Sequence, residues 1–197
     1  MTSSVKSILL VGVGGQGTIL AGKILTQGLM EAGYDVKMSE IHGMSQRGGT
    51  VSTQVRYGDK VYSPVIEMGG ADIIVSFEKM EALRWLDYAK KEDCQIIVND
   101  HEIMPMPVVI GKADYPAQIL EEIKAQAPTI VVSATAEAAA LGNEKAMNMI
   151  LLGATAKAMG LSNIGWDNII HDNVKPEFAE LNKRAFARGM EIIPESN

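Results

Sequence analysis

An apolar run, Ile8-Leu9-Leu10-Val11, opens directly into Gly12-Val13-Gly14-Gly15-Gln16-Gly17. A passage from strand through glycines into helix leaves few folds open. The glycines let the backbone turn sharply, and the helix must then pack back on its strand. A second strand-like run ends at Glu40 and leads into Ile41-His42-Gly43-Met44-Ser45-Gln46-Arg47-Gly48-Gly49. In an open α/β sheet, loops of this kind gather at the carboxyl edge of the strands, where ligands bind.

Beyond these loops, β-type runs alternate with helical stretches. The pattern predicts a strand at 8–11 and a helix from about 17 to 32, with Ile19, Leu20, Ile24, Leu25 and Leu29 at helical spacing. Gly33 stops that helix. A second strand is expected at 36–41. Residues 51–57 and 60–66 both read as strands, and Gly58-Asp59 between them is a two-residue hairpin signal. Further strands are expected at 71–76, 95–98, 108–110 and 129–133. Helices are expected at 78–91, 116–127, 134–141, 144–159, 166–171 and 177–189. The expected fold class is α/β: a three-layer α/β/α sandwich whose Rossmann-like mixed sheet carries an antiparallel hairpin, all in one domain over 1–197.

Composition narrows the function. With 47% hydrophobic and 21% charged residues, the chain can bury a real core. A formal net charge of -6 with scattered basic residues argues against a nucleic-acid partner. No apolar run is long enough to span a bilayer, and the polar, short 1–7 stretch does not read as a signal peptide, so a cytoplasmic protein is expected. The single cysteine, Cys94, opens an apolar run and reads as a core residue. One thiol cannot hold an iron–sulfur cluster. His42, His101 and His171 lack metal-ligand spacing, so no metal site is expected. Twelve methionines read as adaptable core filler, or, at Met44, Met104 and Met106, as a soft contact surface.

Gly12, Gly14 and Gly17 fit G-x-G-x-x-G in the right context, after a strand and before a helix. An NAD site also needs an acid at the end of the second strand. Glu40 falls slightly late and runs straight into the His42 loop, an odd place for an adenosine pocket. Gly17 to Lys23 has phosphate-loop spacing, but Ile24 stands where Ser or Thr should hold magnesium, which excludes that motif. A third reading keeps the anion site without a dinucleotide. Gly14, Gly15 and Gly17 offer backbone amides, and Gln16 adds a side chain that donates and accepts. Arg47, flanked by Gln46 and Gly48-Gly49, presents a planar fork suited to phosphate or carboxylate. On the residues alone, Arg47 could equally pair with Glu40 or with a partner's carboxylate, leaving the glycines to make a tight turn.

These two loops, with Tyr62-Ser63-Pro64, resemble the gamma-type subunit of 2-oxoacid:ferredoxin oxidoreductases. The segment His42-Gly43-Met44-Ser45-Gln46-Arg47-Gly48-Gly49 looks like the indolepyruvate branch, where that chain is called the beta subunit. The oxoglutarate and pyruvate branches usually carry different residues before the arginine. Stretches 143–153 and 176–189 extend the resemblance over nearly the whole chain. The resemblance implies an enzyme that decarboxylates a 2-oxoacid on thiamine diphosphate, passes electrons through iron–sulfur clusters to ferredoxin and gives an acyl-CoA. Thiamine diphosphate and the clusters would sit on a partner alpha subunit, with nothing tightly bound on this chain and no catalytic residue in it. Coenzyme A is a candidate ligand for Gly12, Gly14, Gly15, Gln16, Gly17, His42, Ser45, Gln46, Arg47, Gly48 and Gly49. Ferredoxin would be an indirect partner, and the isolated chain could pair with itself through an exposed apolar patch. Two other readings remain open: a free-standing NAD(P)-dependent oxidoreductase, which lacks an evident catalytic group, and a nucleotide-sensing module.

Overall fold

The computed structural model describes residues 5–42 and 49–194. Its centre is β1 (Lys6–Val13), in which every residue after Lys6 is buried. Around it forms a six-stranded sheet with β2 (Asp35–His42), β3 (Thr50–Gly58), β4 (Ile73–Ser76), β5 (Gln95–Asn99) and β6 (Thr129–Val132), in the order β2-β3-β1-β4-β5-β6. β1, β4, β5 and β6 pair in parallel. β3 runs antiparallel to both β1 and β2. The sheet is mixed, as the sequence predicts.

The eight helices of the described residues are α1 (Thr18–Glu31), α2 (Lys79–Arg84), α3 (Met106–Val109), α4 (Ile119–Gln126), α5 (Ala134–Ala140), α6 (Met147–Ala158), α7 (Trp166–Asn173) and α8 (Ala179–Ile192). Strand alternation divides the core in two. Ile8, Leu10, Val55, Ile73, Val75 and Ile97 pack with α1, α6, α7 and α8. Leu9, Val11, Ile74, Ile96 and Val98 face the other way, against α2 and α4. The sandwich thus has three layers, one thick and one thin. Cys94 is buried in the thinner layer, and burial pushes its thiol up to about 11.

The antiparallel hairpin exists, but with other strands than the sequence suggests. Residues 51–57 were expected to pair with 60–66 through Gly58-Asp59; instead β3 lies between β2 and β1, so both of its edges are taken. Residues 60–66 form no strand. Their polar groups are met by β3 side chains: the Gln54 Oε1 accepts from the Ile66 amide at 2.6 Å, and Arg56 donates to the carbonyls of Ser63 and Val65. The segment crosses the face of β3 rather than extending its edge.

Three smaller corrections have local causes. Residues 108–110 do not form a strand; Pro107 cannot donate to a ladder and sits in the first turn of α3 instead. The helix expected over 78–91 stops at Arg84, followed by a 3₁₀ turn at Leu86–Tyr88. There Ala71 captures the chain, donating to the Tyr88 carbonyl and accepting from the Lys90 amide. α4 starts at Ile119, three residues after Pro116.

The thick layer depends on a close crossing of α6 and α8. A Cβ on Gly153 would lie 2.0 Å from the Phe186 carbonyl oxygen, and one on Gly189 only 1.9 Å from that of Ile150. Both carbonyls are backbone, so neither can swing away. We expect Gly153→Ala to destabilise the chain by about 2 kcal/mol, the usual cost of overpacking, read as a lower urea midpoint with circular dichroism.

Asp72 ties the start of β1 to β4. Burial alone would raise its carboxyl, but hydrogen bonds from Lys90, the Ser7 amide and Lys6 outweigh burial and hold it below the usual carboxylate range. A depressed folded-state value means that the stabilisation is complete above the unfolded pKa, about 4 for aspartate, and is lost as pH falls through the folded value. Asp72→Asn should therefore lower the urea midpoint at pH 7, with the gap to the parent chain narrowing below about pH 4.

Candidate functional site

The end of β1 and the start of α1 enclose the glycine loop. Gly15 has φ +100° and Gly17 φ +83°, values that side chains rarely adopt. Gly17 is also the N-cap of α1, and no side chain caps that helix. Its first-turn amides therefore remain for water or a ligand, at the positive end of a helix of 14 residues.

The second loop reaches the same edge. In the sheet register Val51 pairs with Gly12 on one side and with His42 on the other. The Gly14 amide donates to the Gly49 carbonyl at 2.9 Å, joining the two loops directly. A cavity of about 510 Å³ opens here, lined by Gly14, Gly15, Gly17, Thr18, Ile19, Leu20, Lys23, His42 and Val51. Gly14, Gly15, Gly17 and His42 thus meet as the sequence suggests. Ser45, Gln46, Arg47 and Gly48 lie outside the described residues, as does Met44.

Three of the expected ligand groups have structural work instead. The Gly14 amide is spent on Gly49. The Gln16 Oε1 accepts from the Val13 amide at 2.7 Å, and its Nε2 donates to the Phe77 carbonyl at 2.9 Å, so both halves of the amide are used inside the fold. A Cβ on Gly12 would meet Gln16 Oε1 and Phe77 Cβ at 2.9 Å, so this glycine makes room for the brace rather than for a ligand. Among the described residues, the remaining anion-binding capacity of this edge lies with Gly15, the first turn of α1 and Lys23.

The topology also disposes of the ribose acid. In a dinucleotide fold the second strand lies beside the first. Here β3 separates them, which moves Glu40 about 10 Å away from β1 at two strand spacings.

A pair of acids at this edge escaped the sequence reading. Glu78 is the N-cap of α2, and its Oε2 accepts from the Glu81 amide at 2.9 Å. Its Oε1 accepts from the Tyr115 hydroxyl at 2.7 Å. Glu81 accepts from Thr50 Oγ1 at 3.1 Å, and burial pushes its carboxyl up. Glu78, Glu81 and Thr50 line a cavity of about 300 Å³ with Arg84, Met104 and Met106. Both methionines are exposed, Met106 by 68%, which favours the contact-surface reading for this pair. The signal was present: two acids three residues apart immediately after a strand form half of a capping box.

The family model for pyruvate ferredoxin/flavodoxin oxidoreductase matches residues 7–192. The chain belongs to this family. It is 38% identical over 197 residues to the indolepyruvate oxidoreductase subunit IorB of Pyrococcus horikoshii, with 96% of each chain covered. Among solved structures, the keto/oxoacid ferredoxin oxidoreductase gamma subunit of Geobacter sulfurreducens superposes with a TM-score of 0.69 at 23% identity, covering 95% of this chain and 97% of that one. The 2-oxoglutarate:ferredoxin oxidoreductase of Magnetococcus marinus, solved with 2-oxoglutarate, coenzyme A and succinyl-CoA bound, superposes with a TM-score of 0.74 at 20% identity, over 95% of this chain and 31% of that one. The fold of this oxidoreductase family thus occurs both as a separate gamma subunit and within a longer chain. The resemblance carried by the two glycine loops is borne out.

Among the described residues, no three His, Cys, Asp or Glu side chains cluster as metal ligands, and no helix is long and apolar enough to cross a membrane. Because Gln16 satisfies one backbone donor and one backbone acceptor, Gln16→Ala should destabilise the chain by about 2 kcal/mol and speed hydrogen exchange at the Val13 amide. An unchanged exchange rate would show that the brace is dispensable.

Proposed function

We propose that this chain is the non-catalytic subunit of a 2-oxoacid:ferredoxin oxidoreductase of the indolepyruvate type, and that its glycine-loop edge receives coenzyme A at the boundary with a thiamine-bearing alpha subunit. The observation that carries the reading is the uncapped start of α1, opening with Gly15 and Lys23 onto a cavity that the Gly14–Gly49 hydrogen bond closes on one side.

The chemistry of the edge suits such a ligand. Coenzyme A is an anion at its phosphates and apolar along much of its length. Helix amides and Lys23 favour the anion, while Ile19, Leu20 and Val51 give the cavity apolar walls. Arg47 would add a planar fork from the second loop. The single buried cysteine cannot ligate an iron–sulfur cluster, so the clusters belong on the partner, and the family resemblance assigns the thiamine diphosphate to the same partner of this cytoplasmic chain. When bound there, thiamine supplies the carbanion chemistry of decarboxylation. This chain's part is to shape the wall that coenzyme A approaches, to hold its phosphates and to exclude water. Met104 and Met106 are exposed beside Val13 and Thr50 at this edge, and with the exposed Val109 and Ile110 that follow in the chain they offer apolar surface to the partner.

Co-expression tests the assembly: a large chain carrying thiamine diphosphate and iron–sulfur centres should co-purify with this one, and the isolated chain should turn over no oxoacid. Turnover by the lone chain would overturn the proposal. In the assembled enzyme, Arg47→Ala should raise the apparent KM for coenzyme A by roughly tenfold, the loss of one charge-assisted contact. An unchanged KM with weaker assembly would make Arg47 an interface residue instead.

A further inference from the structure

On the far side of Leu20 from the glycine loop lies a second cavity, of about 410 Å³. Its walls come from three places: Leu20 on α1, the segment around the start of α6, and the connection between α7 and α8. Neither of its lysines, Lys145 and Lys175, is in an ion pair among the described residues, and no carboxylate lines the space. In a chain of formal net charge -6, this is a local concentration of positive charge.

The polar groups between the lysines are amides. Asn148 is 5% exposed, and its Oδ1 is buried without a hydrogen-bond partner. A buried, unpaired carbonyl oxygen is costly, and a native structure that keeps one calls for a reason. Its Nδ2 lies 3.5 Å from the Gly17 carbonyl, so this amide also borders the N-cap of α1. Asn182 uses its Nδ2 on the Phe178 carbonyl, which leaves its Oδ1 as an acceptor. Asn143 uses its Oδ1 on the Lys145 amide, which leaves its NH₂ as a donor. Phe178 lines the same cavity and is 42% exposed, a large ring that the core does not claim.

Two cations, acceptor oxygens and an available aromatic face match a ligand with an anion, hydrogen-bond donors and a flat ring. We infer that this second cavity binds a nucleoside phosphate: Lys145 and Lys175 hold the phosphate, Asn182 accepts from its hydroxyl or amino groups, Asn148 borders the site from beneath, and Phe178 stacks on the base. The volume lies within the range of small-molecule sites, and base–aromatic stacking is favourable for any base. The nucleoside phosphate could be the adenosine bisphosphate end of coenzyme A or a free nucleotide. The inference stands on this cavity alone and does not require the glycine-loop proposal.

Titration calorimetry on the full chain tests it, with adenosine 3′,5′-bisphosphate, AMP and inorganic phosphate as probes. Saturable binding of at least one nucleotide is expected, tighter than that of inorganic phosphate. Lys145→Ala and Lys175→Ala, both at exposed positions, should each weaken it by roughly tenfold, as expected for a charged contact. Lys124→Ala, exposed on α4 and outside both cavities, should leave it unchanged. Preference for the bisphosphate over AMP assigns the site to the coenzyme A end, and equal or tighter binding of AMP assigns it to a free nucleotide. No saturable binding of either nucleotide, binding insensitive to both the Lys145 and Lys175 substitutions, loss of binding in Lys124→Ala, or inorganic phosphate binding as tightly as the nucleotides would overturn the inference. Failure here with successful co-purification of the alpha subunit would leave the subunit proposal standing.

Discussion

The insertion of β3 between β1 and β2 is the constraint on which the site rests. Because β3 runs against its neighbours, its first residues arrive at the edge where β1 and β2 end. That arrival is what brings the Gly49 carbonyl to the Gly14 amide. Were β2 paired directly with β1, the acid at its end would stand beside the glycine loop, as in dinucleotide folds. With β3 interposed, the place beside the loop is occupied by backbone and by Val51, and the space above it is shared between two loops rather than between a loop and a ribose-binding acid.

The unequal layers decide what each side of the edge offers. On the thick side, α6 and α8 approach until backbone meets backbone at Gly153 and Gly189. This close crossing brings the start of α6, with Asn148, against the N-cap of α1. Lys145 and Lys175 line the cavity beside it. On the thin side, α2 is only six residues long, and its cap, Glu78, together with Glu81, gives that wall two buried acids. The glycine-loop edge therefore has Lys145 and Lys175, in no ion pair among the described residues, on one side and Glu78 and Glu81 on the other. The exposed Met104 and Met106 lie on the acidic side.

Much of this was legible along the chain. The helix and strand periods of α1, β1, β2, β5 and β6 are local patterns, and they placed those elements within a few residues. The glycine spacing marked the loop, and the two loops together marked the family. The Gly58-Asp59 signal misled because a tight turn reports only that the chain reverses; Asp35 accepts from the Val61 amide at 2.9 Å, so the strand partner at that turn was already β2. Gln16 misled for a related reason. A side chain that can both donate and accept is equally suited to a ligand and to two backbone groups nearby, and only the position of Phe77 decides between them.

The sequence by itself determined most of the strands and helices, that the sheet would be mixed, and that a glycine turn would open α1, since each of these depends largely on residues close together in the chain. Tertiary structure alone decided the order of strands, the spending of the Gly14 and Gln16 amides, and the meeting of Lys145, Asn148 and Lys175 around one cavity. Such outcomes join residues far apart in the chain, as Asn148 and Gly17 are at 131 positions, and hydrophobic period carries no information about which distant partner a strand edge or a buried amide will find.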